Sequence, residues 1–292
     1  MGSYSPSAQH LVDSMVAAAA ANPARAVAFQ GAPGANSDIA VRQFDADALP
    51  LPCYSFEDAI DAVQSGAALR AMISIENSLH GRVADIHFLL PESGLHIVGE
   101  HFLPIRYGLM SRDLAPVTRA MSHVQALGQC RHWLRSRNIE PVPFPDTAGA
   151  AARAVELADP AVAAIAPPGA AAIYGLNTLA EALEDSDDNM TRFVRLARTA
   201  PDVPNEGAVM TTFIFEVKNV PAALYKAMGG FATNGVNMTK LESYMVGGSF
   251  TATEFYADIE GHPEDANVKL ALDELRYFSS QVDILGVYPA DR

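Results

Sequence analysis

The C-terminal part of the chain alternates between two spacings of apolar residues. Large side chains alternate with polar or smaller ones from Thr211 to Val217, which predicts a strand. After Pro221, apolar residues recur every three or four positions, which predicts a helix that ends at Asn234-Gly235. Further elements are predicted as a strand at 236–244, a turn at Gly247-Gly248, a strand at 250–259, a helix from Pro263 and a strand at 282–287. This βαββαβ order is typical of a ferredoxin-like fold.

The N-terminal part of the chain alternates short apolar strands with helices, which indicates an α/β fold. Strands are predicted at 26–30, 71–75, 96–102, 141–144 and 162–166. Helices are predicted at 56–64, 83–90, 124–137, 147–157 and 169–174. An alanine-rich run at 15–21 follows Asp13 instead of a basic stretch, so it is predicted as a helix and not as a signal peptide.

A boundary between two domains is predicted in the segment from Thr199 to Gly207. This segment places two prolines, a glycine and acidic residues between two periodic stretches, a composition typical of a linker. The chain length of 292 residues also exceeds what one core usually serves. We therefore expect one domain at residues 1–200 and a second at 208–292.

The composition restricts the partners of the protein. A net charge of −14 disfavours nucleic acid and anionic membranes, which both attract clusters of Lys and Arg. No segment approaches the ~20 apolar residues of a membrane span. The two cysteines, Cys53 and Cys130, have no paired spacing, and the histidines form no metal-binding motif. We expect a soluble cytoplasmic protein without a metal site.

Small polar residues lie between a predicted strand and a predicted helix at several points. They include Ser37 in the first such loop, Asn77-Ser78, Ser122-His123 and Asp146-Thr147. Each one alone is explained more simply as a helix N-cap. Helix N-termini also bind carboxylates and phosphates, and several in one α/β unit predict a shared cleft at the ends of the strands. The glycines of the first loop, Gly31 and Gly34, fit neither a P-loop nor a dinucleotide fingerprint, so no nucleotide cofactor is expected.

An acidic run at 184–188 ends at Thr191-Arg192-Phe193, where a strand begins. One interpretation is a solvated acidic loop before an ordinary strand. The other is a hydroxyl donor and a guanidinium presented together where the strand begins. The run lacks the glycine and the terminal glutamate of a calcium-binding loop.

An ordered set of sequence blocks resembles the prephenate dehydratase family with a C-terminal ACT regulatory domain. The blocks are Ile75-Glu76-Asn77-Ser78 with Gly81, Ser122-His123 with Gln125-Ala126-Leu127 and Gln129-Cys130, Asn189 with Thr191-Arg192-Phe193, and Leu241-Glu242-Ser243. The resemblance implies a two-lobed catalytic domain like the periplasmic binding proteins, a homodimer or homotetramer, and feedback inhibition by phenylalanine. It also implies conversion of prephenate to phenylpyruvate without any cofactor.

The resemblance assigns roles to residues at matching positions. The implied catalytic residues are Thr191, Arg192 and Glu76, where Glu76 either orients its neighbours or acts as an acid. The implied substrate-binding residues are Ser37, Asn77, Ser78, Ser122, Gln129, Thr147 and Phe193. The implied effector-binding residues are Asn219, Ala222, Ala223, Leu224, Asn237, Leu241, Glu242 and Ser243. Ala222 departs from the family pattern, which has glycine there.

Two other functions stay open at this point. Arogenate, the amino form of prephenate, differs from it by one contact and would give phenylalanine directly. A cleft joined to an ACT domain is also the layout of a non-catalytic amino-acid-sensing protein.

Overall fold

The computed structural model describes residues 4–157, 159–218, 220–245 and 252–291. The chain divides into two compact units. The first unit comprises the chain up to Ile86 together with His101–Phe193, and the second comprises His87–Glu100 with the chain from Val194 onward. The expected division into domains at 1–200 and 208–292 therefore stays a prediction, since the segment 87–100 groups with the second unit.

The elements up to residue 197 lie in the first unit, except for the helix Ala84–Glu92 and the strands His96–Pro104 and Met190–Ala197, which are divided between the two units. In chain order they are α1 (Pro6–Ala21), β1 (Ala26–Gln30), α2 (Asn36–Phe44), β2 (Leu49–Cys53), α3 (Phe56–Gln64), β3 (Arg70–Asn77), β4 (Gly81–Arg82), α4 (Ala84–Glu92), β5 (His96–Pro104), β6 (Gly108–Ser111), β7 (Arg119–Ser122), α5 (Val124–Gln129), α6 (Arg131–Ser136), β8 (Glu140–Pro143), α7 (Thr147–Glu156), β9 (Val162–Ala166), α8 (Gly169–Tyr174), β10 (Asn177–Glu181) and β11 (Met190–Ala197).

Two sheets lie in the first unit. In one sheet, β1 pairs in parallel with both β2 and β3, and β11 follows next to β3. The other sheet has the order β10-β6-β9-β7-β8, in which β7 is parallel to β8 and β9 while β6 is antiparallel to β9. The α/β class is confirmed, and the two sheets fit the two lobes that the resemblance implies.

Alanine is abundant where α7 packs on β9. Ala148, Ala151, Ala152, Ala164 and Ala166 are fully buried in one apolar cluster. Side chains this small allow a helix to lie close to a sheet at the density of a folded interior. The alanine enrichment of the sequence is therefore a property of the core of this unit.

The second unit contains the ferredoxin-like order. Its elements are β12 (Val209–Val217), α9 (Ala223–Thr233), β13 (Met238–Met245), β14 (Ala252–Glu260), α10 (Ala266–Phe278) and β15 (Ser279–Pro289). The antiparallel strand order is β13-β14-β12-β15, which confirms βαββαβ. The core includes Phe213 stacked on Phe231, with ring centroids 5.9 Å apart. A Cβ at Gly230 of α9 would lie 2.8 Å from Glu274 of α10, so glycine permits the close helix contact.

Several predicted boundaries differ from the structure. The helix predicted at 124–137 is divided at Cys130, and Asp185 accepts a hydrogen bond from His132 N at 3.1 Å in the first turn of α6. The helix predicted from Pro263 begins at Ala266, after the N-cap residue Asp265. The strand β2 was not predicted, because prolines at two of its five positions weaken the strand pattern. The turn predicted at Gly247-Gly248 lies outside the described residues.

Candidate functional site

A polar cavity of about 500 Å³ lies within the first unit. Its lining comes from the β1–α2 loop, from β3 and β11, and from the first residues of α2, α5 and α7. The predicted site residues in that lining are Ser37, Asn77, Gln129, Thr147, Thr191 and Phe193. The other lining residues that carry polar or charged groups are Gln30, Asn36, Ser74, Arg82, Tyr107, His123, Gln125 and Asp146. Residues widely separated in the sequence therefore meet in one place.

The β1–α2 loop presents the start of α2 to the cavity. Gly31 and Gly34 have φ angles of 128° and 85°, in a region of backbone conformation that residues other than glycine rarely adopt. The buried carboxylate of Asp38 accepts a hydrogen bond from Gly34 N at 2.8 Å and holds the loop against the helix. Asn36 and Ser37 then occupy the first turn of α2 at the cavity wall, where unpaired backbone N–H groups and the helix dipole favour an anion.

Strand β11 presents Thr191 and Phe193 to the cavity, whereas Arg192 is not among the described lining residues. Successive side chains of a strand point to opposite faces, so Thr191 and Arg192 face in opposite directions. Arg192 is 3% exposed, its Nη1 lies 3.0 Å from Oε1 of Glu76, and its guanidinium carbon is 6.0 Å from the centre of the Phe102 ring. Glu76 on β3 is likewise absent from the described lining.

Asn77 joins β3 to β11 beside the cavity. Its Nδ2 lies 2.8 Å from Oδ1 of Asn189, 3.0 Å from Oγ1 of Thr191 and 3.1 Å from the carbonyl oxygen of Met190. The buried Asn189 in turn donates to Oε1 of Gln129 at 2.6 Å. These contacts connect three sequence blocks through side-chain amides.

Ser78 and Ser122 lie outside the described cavity lining. Ser78 Oγ donates to the carbonyl of Asp188 at 2.9 Å and accepts from Met190 N at 2.9 Å, so it ties the turn after β3 to the start of β11. Ser122 is fully buried and donates to the carbonyl of Ile165 at 2.5 Å, between neighbouring strands β7 and β9. Both contacts stabilise the wall of the site, and substrate binding by either residue stays a prediction.

Several lining residues were absent from the predicted site. They are Gln30, Asn36, Ser74, Arg82, Tyr107, Gln125, His123 and Asp146. For the last two a signal existed, because each is adjacent to a residue that was chosen. His123 follows Ser122, and Asp146 precedes Thr147. Arg82 and Tyr107 carried no such signal, since neither belongs to a block or to a helix start.

Burial changes the ionisation of three lining groups. It lowers the pKa of His123, with a smaller opposing effect of Asp146, which favours the neutral imidazole. It raises the pKa of Asp146, although the Gly149 backbone N–H opposes that shift. It raises the pKa of Tyr107 well above the ordinary value, so Tyr107 is a neutral hydroxyl. The side chain with a permanent positive charge in the described lining is Arg82.

The predicted effector residues lie in the second unit, except Asn219, which is outside the described residues. Ala222 is the N-cap residue of α9 and has φ 63°, Ala223 and Leu224 begin that helix, and Asn237 precedes β13. Leu241, Glu242 and Ser243 lie on β13, which is at the end of the strand order of this unit. Whether they bind an effector stays a prediction.

Two further observations concern metals and membranes. Within the described part of the chain, no three His, Cys, Asp or Glu side chains are placed to hold a metal ion. Among the described helices, none combines the length and apolar character that a membrane span needs.

Comparison with known proteins identifies what the chain resembles. The family model described as prephenate dehydratase matches residues 27–201. The chain is 49% identical over 273 residues to a bifunctional N-acyl-homoserine lactone acylase/prephenate dehydratase of Komagataeibacter europaeus, spanning 92% of this chain and 97% of that protein. It is 36% identical over 279 residues to arogenate dehydratase/prephenate dehydratase 2 of Arabidopsis thaliana, spanning 91% of this chain and 73% of that protein.

A solved structure supports the same relationship. The prephenate dehydratase of Arthrobacter aurescens, determined in complex with L-Phe, superposes with a TM-score of 0.83 at 33% sequence identity. The match covers 90% of this chain and 89% of that one, so it extends over both units.

Proposed function

The chain belongs to the prephenate dehydratase family, and we propose that it converts prephenate to phenylpyruvate, carbon dioxide and water. The observation that carries the proposal is the position of Thr191. This residue lines a polar cavity within residues 27–201, which match the family model, and its hydroxyl accepts a hydrogen bond from Asn77. Family membership favours an enzyme, a lyase, over the non-catalytic sensing protein that the sequence left open.

The proposed reaction needs no covalent bond between the substrate and the protein. Prephenate carries a ring carboxylate and a ring hydroxyl. When the carboxylate leaves as carbon dioxide, its bonding electrons move into the ring, the hydroxyl departs, and the ring becomes aromatic. The departing oxygen needs a proton to leave as water, and general acid assistance is worth about 10²–10⁴-fold in rate. We assign that donor role to Thr191.

Positive charge for the two substrate carboxylates comes from several elements of the cavity wall. The first turns of α2 and α7 contribute backbone N–H groups, beside Ser37 and Thr147. Arg82 contributes a guanidinium, which holds a carboxylate with two parallel hydrogen bonds. The contacts of Arg192 with Glu76 support a positioning role for both residues. Direct binding of a carboxylate by Arg192 and acid catalysis by Glu76 stay predictions.

Arogenate dehydration is a second candidate. Asp146 in the cavity wall supports it, because a carboxylate would attract the ammonium group that arogenate has and prephenate lacks. The similarity to a plant protein named for both substrates also supports it. Prephenate is the substrate that we place first, since the matching family model and the relative that is 49% identical both carry the name prephenate dehydratase.

Acyl-homoserine lactone cleavage is a separate candidate, supported by the name of the relative that is 49% identical. Such chemistry requires a hydroxyl nucleophile activated by a base. The cavity wall contains hydroxyls and the neutral His123. An N-acyl-homoserine lactone supplied to the same preparation tests this activity independently of dehydration.

Regulation by phenylalanine is the last part of the proposal. We infer that the second unit is an ACT domain that binds phenylalanine and lowers activity. Its βαββαβ order and the similarity to a prephenate dehydratase solved with L-Phe support this. We also infer that residues 208–292 pair with the same region of another chain, in the homodimer or homotetramer that the resemblance implies.

One assay tests the central proposal. Purified full-length protein is incubated separately with prephenate and with arogenate, and phenylpyruvate and phenylalanine are measured. Phenylpyruvate from prephenate is expected. Turnover of arogenate alone would replace the proposal with the second candidate, and turnover of neither would refute both.

A further inference from the structure

We propose that Asn189 is a positioning residue that, through Asn77, makes the Thr191 hydroxyl a hydrogen-bond donor toward the cavity. The inference rests on the proposed function for its importance in catalysis. The orientation of each side chain is argued from hydrogen-bond geometry alone, because neighbouring groups determine which of its atoms donates and which accepts.

The orientation of the Asn77 amide is determined by the backbone. Its Oδ1 lies 3.0 Å from Leu79 N and 3.1 Å from His80 N. Backbone N–H groups only donate, so the oxygen of Asn77 must face them and its NH₂ group must face the other way. On that other side lie three acceptors, Asn189 Oδ1, Thr191 Oγ1 and the carbonyl oxygen of Met190, at 2.8 Å, 3.0 Å and 3.1 Å from Nδ2.

This orientation restricts the hydroxyl of Thr191. Nitrogen Nδ2 of Asn77 has hydrogens and no lone pair, so Oγ1 can only accept from it. The hydroxyl hydrogen of Thr191 must therefore point away from Asn77, and Thr191 lines the cavity. The donor that the proposed reaction needs is thus set before the substrate arrives, which is how preorganised groups lower a barrier.

Asn189 maintains this arrangement from inside the protein. It is 0% exposed, and its carbonyl oxygen accepts from Ile105 N at 2.8 Å, so its backbone is held in place. Its Oδ1 accepts from Asn77, and its Nδ2 donates to Gln129 Oε1 at 2.6 Å. Both ends of the Asn189 amide are engaged, and a reversed amide would place donor against donor on one side and acceptor against acceptor on the other.

The network continues to His80. With its oxygen facing Asn189, Gln129 directs Nε2 toward Nδ1 of His80 at 3.0 Å. That contact is a hydrogen bond from Gln129 when Nδ1 carries no hydrogen. The same Nδ1 is 3.1 Å from Asn77 Oδ1, an oxygen that already accepts two backbone hydrogen bonds. Since Nδ1 cannot both accept from Gln129 and donate to Asn77, the consistent direction of the amides runs from Asn77 through Asn189 to Gln129 and ends there.

A double-mutant cycle tests whether Asn189 acts through Thr191. Asn189→Ala is expected to lower kcat about tenfold or more in the otherwise unchanged protein, with a smaller change in KM, because loss of orientation weakens donation at the departing oxygen. In a Thr191→Val background the same change should have little further effect on kcat. Equal kcat losses in both backgrounds would overturn the inference and leave Asn189 with a structural role.

Two more variants separate positioning from folding. Asp185→Ala removes the side-chain contact with His132 N of α6 and keeps the backbone hydrogen bond from Asp185 N to the Gln129 carbonyl, so its effect should add to that of Thr191→Val. Asn189→Asp keeps an acceptor for Asn77 at similar volume, and a reversed Gln129 amide can donate to the second carboxylate oxygen. Its kcat is therefore expected to stay closer to that of the unchanged protein than the kcat of Asn189→Ala. An aspartate variant that is folded and as impaired as the alanine variant would contradict the inference.

A readout without turnover distinguishes failure of the inference from failure of the proposed function. Side-chain amide NMR signals of Asn77 are expected to exchange slowly with water and to lose that protection in Asn189→Ala. Asn77 signals unaffected by Asn189→Ala would overturn the inference even in an active enzyme. An inactive protein with the expected NMR change would instead refute the proposed function alone.

Discussion

Arg192, which is buried, and Glu76, which is partly exposed, form an ion pair with 3.0 Å between Nη1 and Oε1, on the face of β11 opposite Thr191. The pair connects β11 to β3, the two strands that present Thr191 and Asn77 to the cavity. A guanidinium and a carboxylate paired in this way have already used part of their hydrogen-bonding capacity within the protein. We therefore infer that the Arg192–Glu76 pair holds β11 and β3 in position relative to each other.

Arg192→Leu is expected to destabilise the protein by about 1.5–3 kcal/mol, because it removes a charge-assisted hydrogen bond to the partly exposed Glu76. Chemical denaturation measures this loss. Arg119→Leu is the matched control, since the Arg119–Asp159 pair is partly exposed on both sides and such pairs contribute about 0–1 kcal/mol. An Arg192→Leu protein with unchanged stability and a raised KM would restore the direct carboxylate-binding role.

Thr191→Val is expected to lower kcat by about 100-fold or more while KM changes little, because the hydroxyl acts mainly on the departing oxygen. Valine has nearly the shape of threonine, so the wall of the cavity is preserved. Steady-state kinetics with prephenate, together with circular dichroism, check the result. A folded variant with the original kcat would exclude Thr191 as the donor.

Arg82→Ala is expected to raise KM for prephenate about tenfold, since a hydrogen bond to a charged group contributes about 1.5–3 kcal/mol. Arg82→Lys should recover part of the loss, because lysine keeps the charge without the two parallel hydrogen bonds. The exposed Arg112, outside the described cavity lining, serves as control through Arg112→Ala. Similar KM values for Arg82→Ala and Arg112→Ala would exclude Arg82 from substrate binding.

Ala222→Gly is expected to stabilise the second unit by about 0.4–1 kcal/mol or slightly more, because Ala222 has φ 63° and a Cβ is strained there. Ala223→Gly, one position later and inside α9, should instead destabilise by about 0.5–1 kcal/mol. Thermal melting of both variants measures the contrast. Two variants that shift the melting temperature in the same direction would contradict this explanation.

Phenylalanine added to the full-length protein is expected to bind and to lower the rate of prephenate turnover. The coupling between effector and substrate is expected to be about 1–3 kcal/mol, a typical value for allosteric proteins. D-phenylalanine is the control of the same size and charge. Calorimetry and rate measurements together decide the matter, and L-phenylalanine that neither binds nor changes the rate would disprove regulation through this unit.

Much of the fold was accessible from local patterns. The strands β1 and β9 and the helices α3 and α8 have the predicted bounds, because short apolar runs and helix caps are encoded by neighbouring residues. The box formed by Ser55 and Asp58 at the start of α3 is such a local device. The βαββαβ order also followed from spacing alone. The sequence blocks likewise indicated the family before any contact was known.

The faces of the strands and the assembly of the cavity were decided by tertiary structure. Thr191 and Arg192 are adjacent in sequence, and only the packing of β11 determines which of them meets the cavity and which meets Glu76. Ser122 and His123 show the same division, since the first is buried between strands and the second lines the site. Arg82 also lines the cavity, and it lies on the two-residue strand β4, where no motif indicated a role. Local periodicity reports which residues share a face, whereas the identity of that face depends on contacts between residues far apart in the chain.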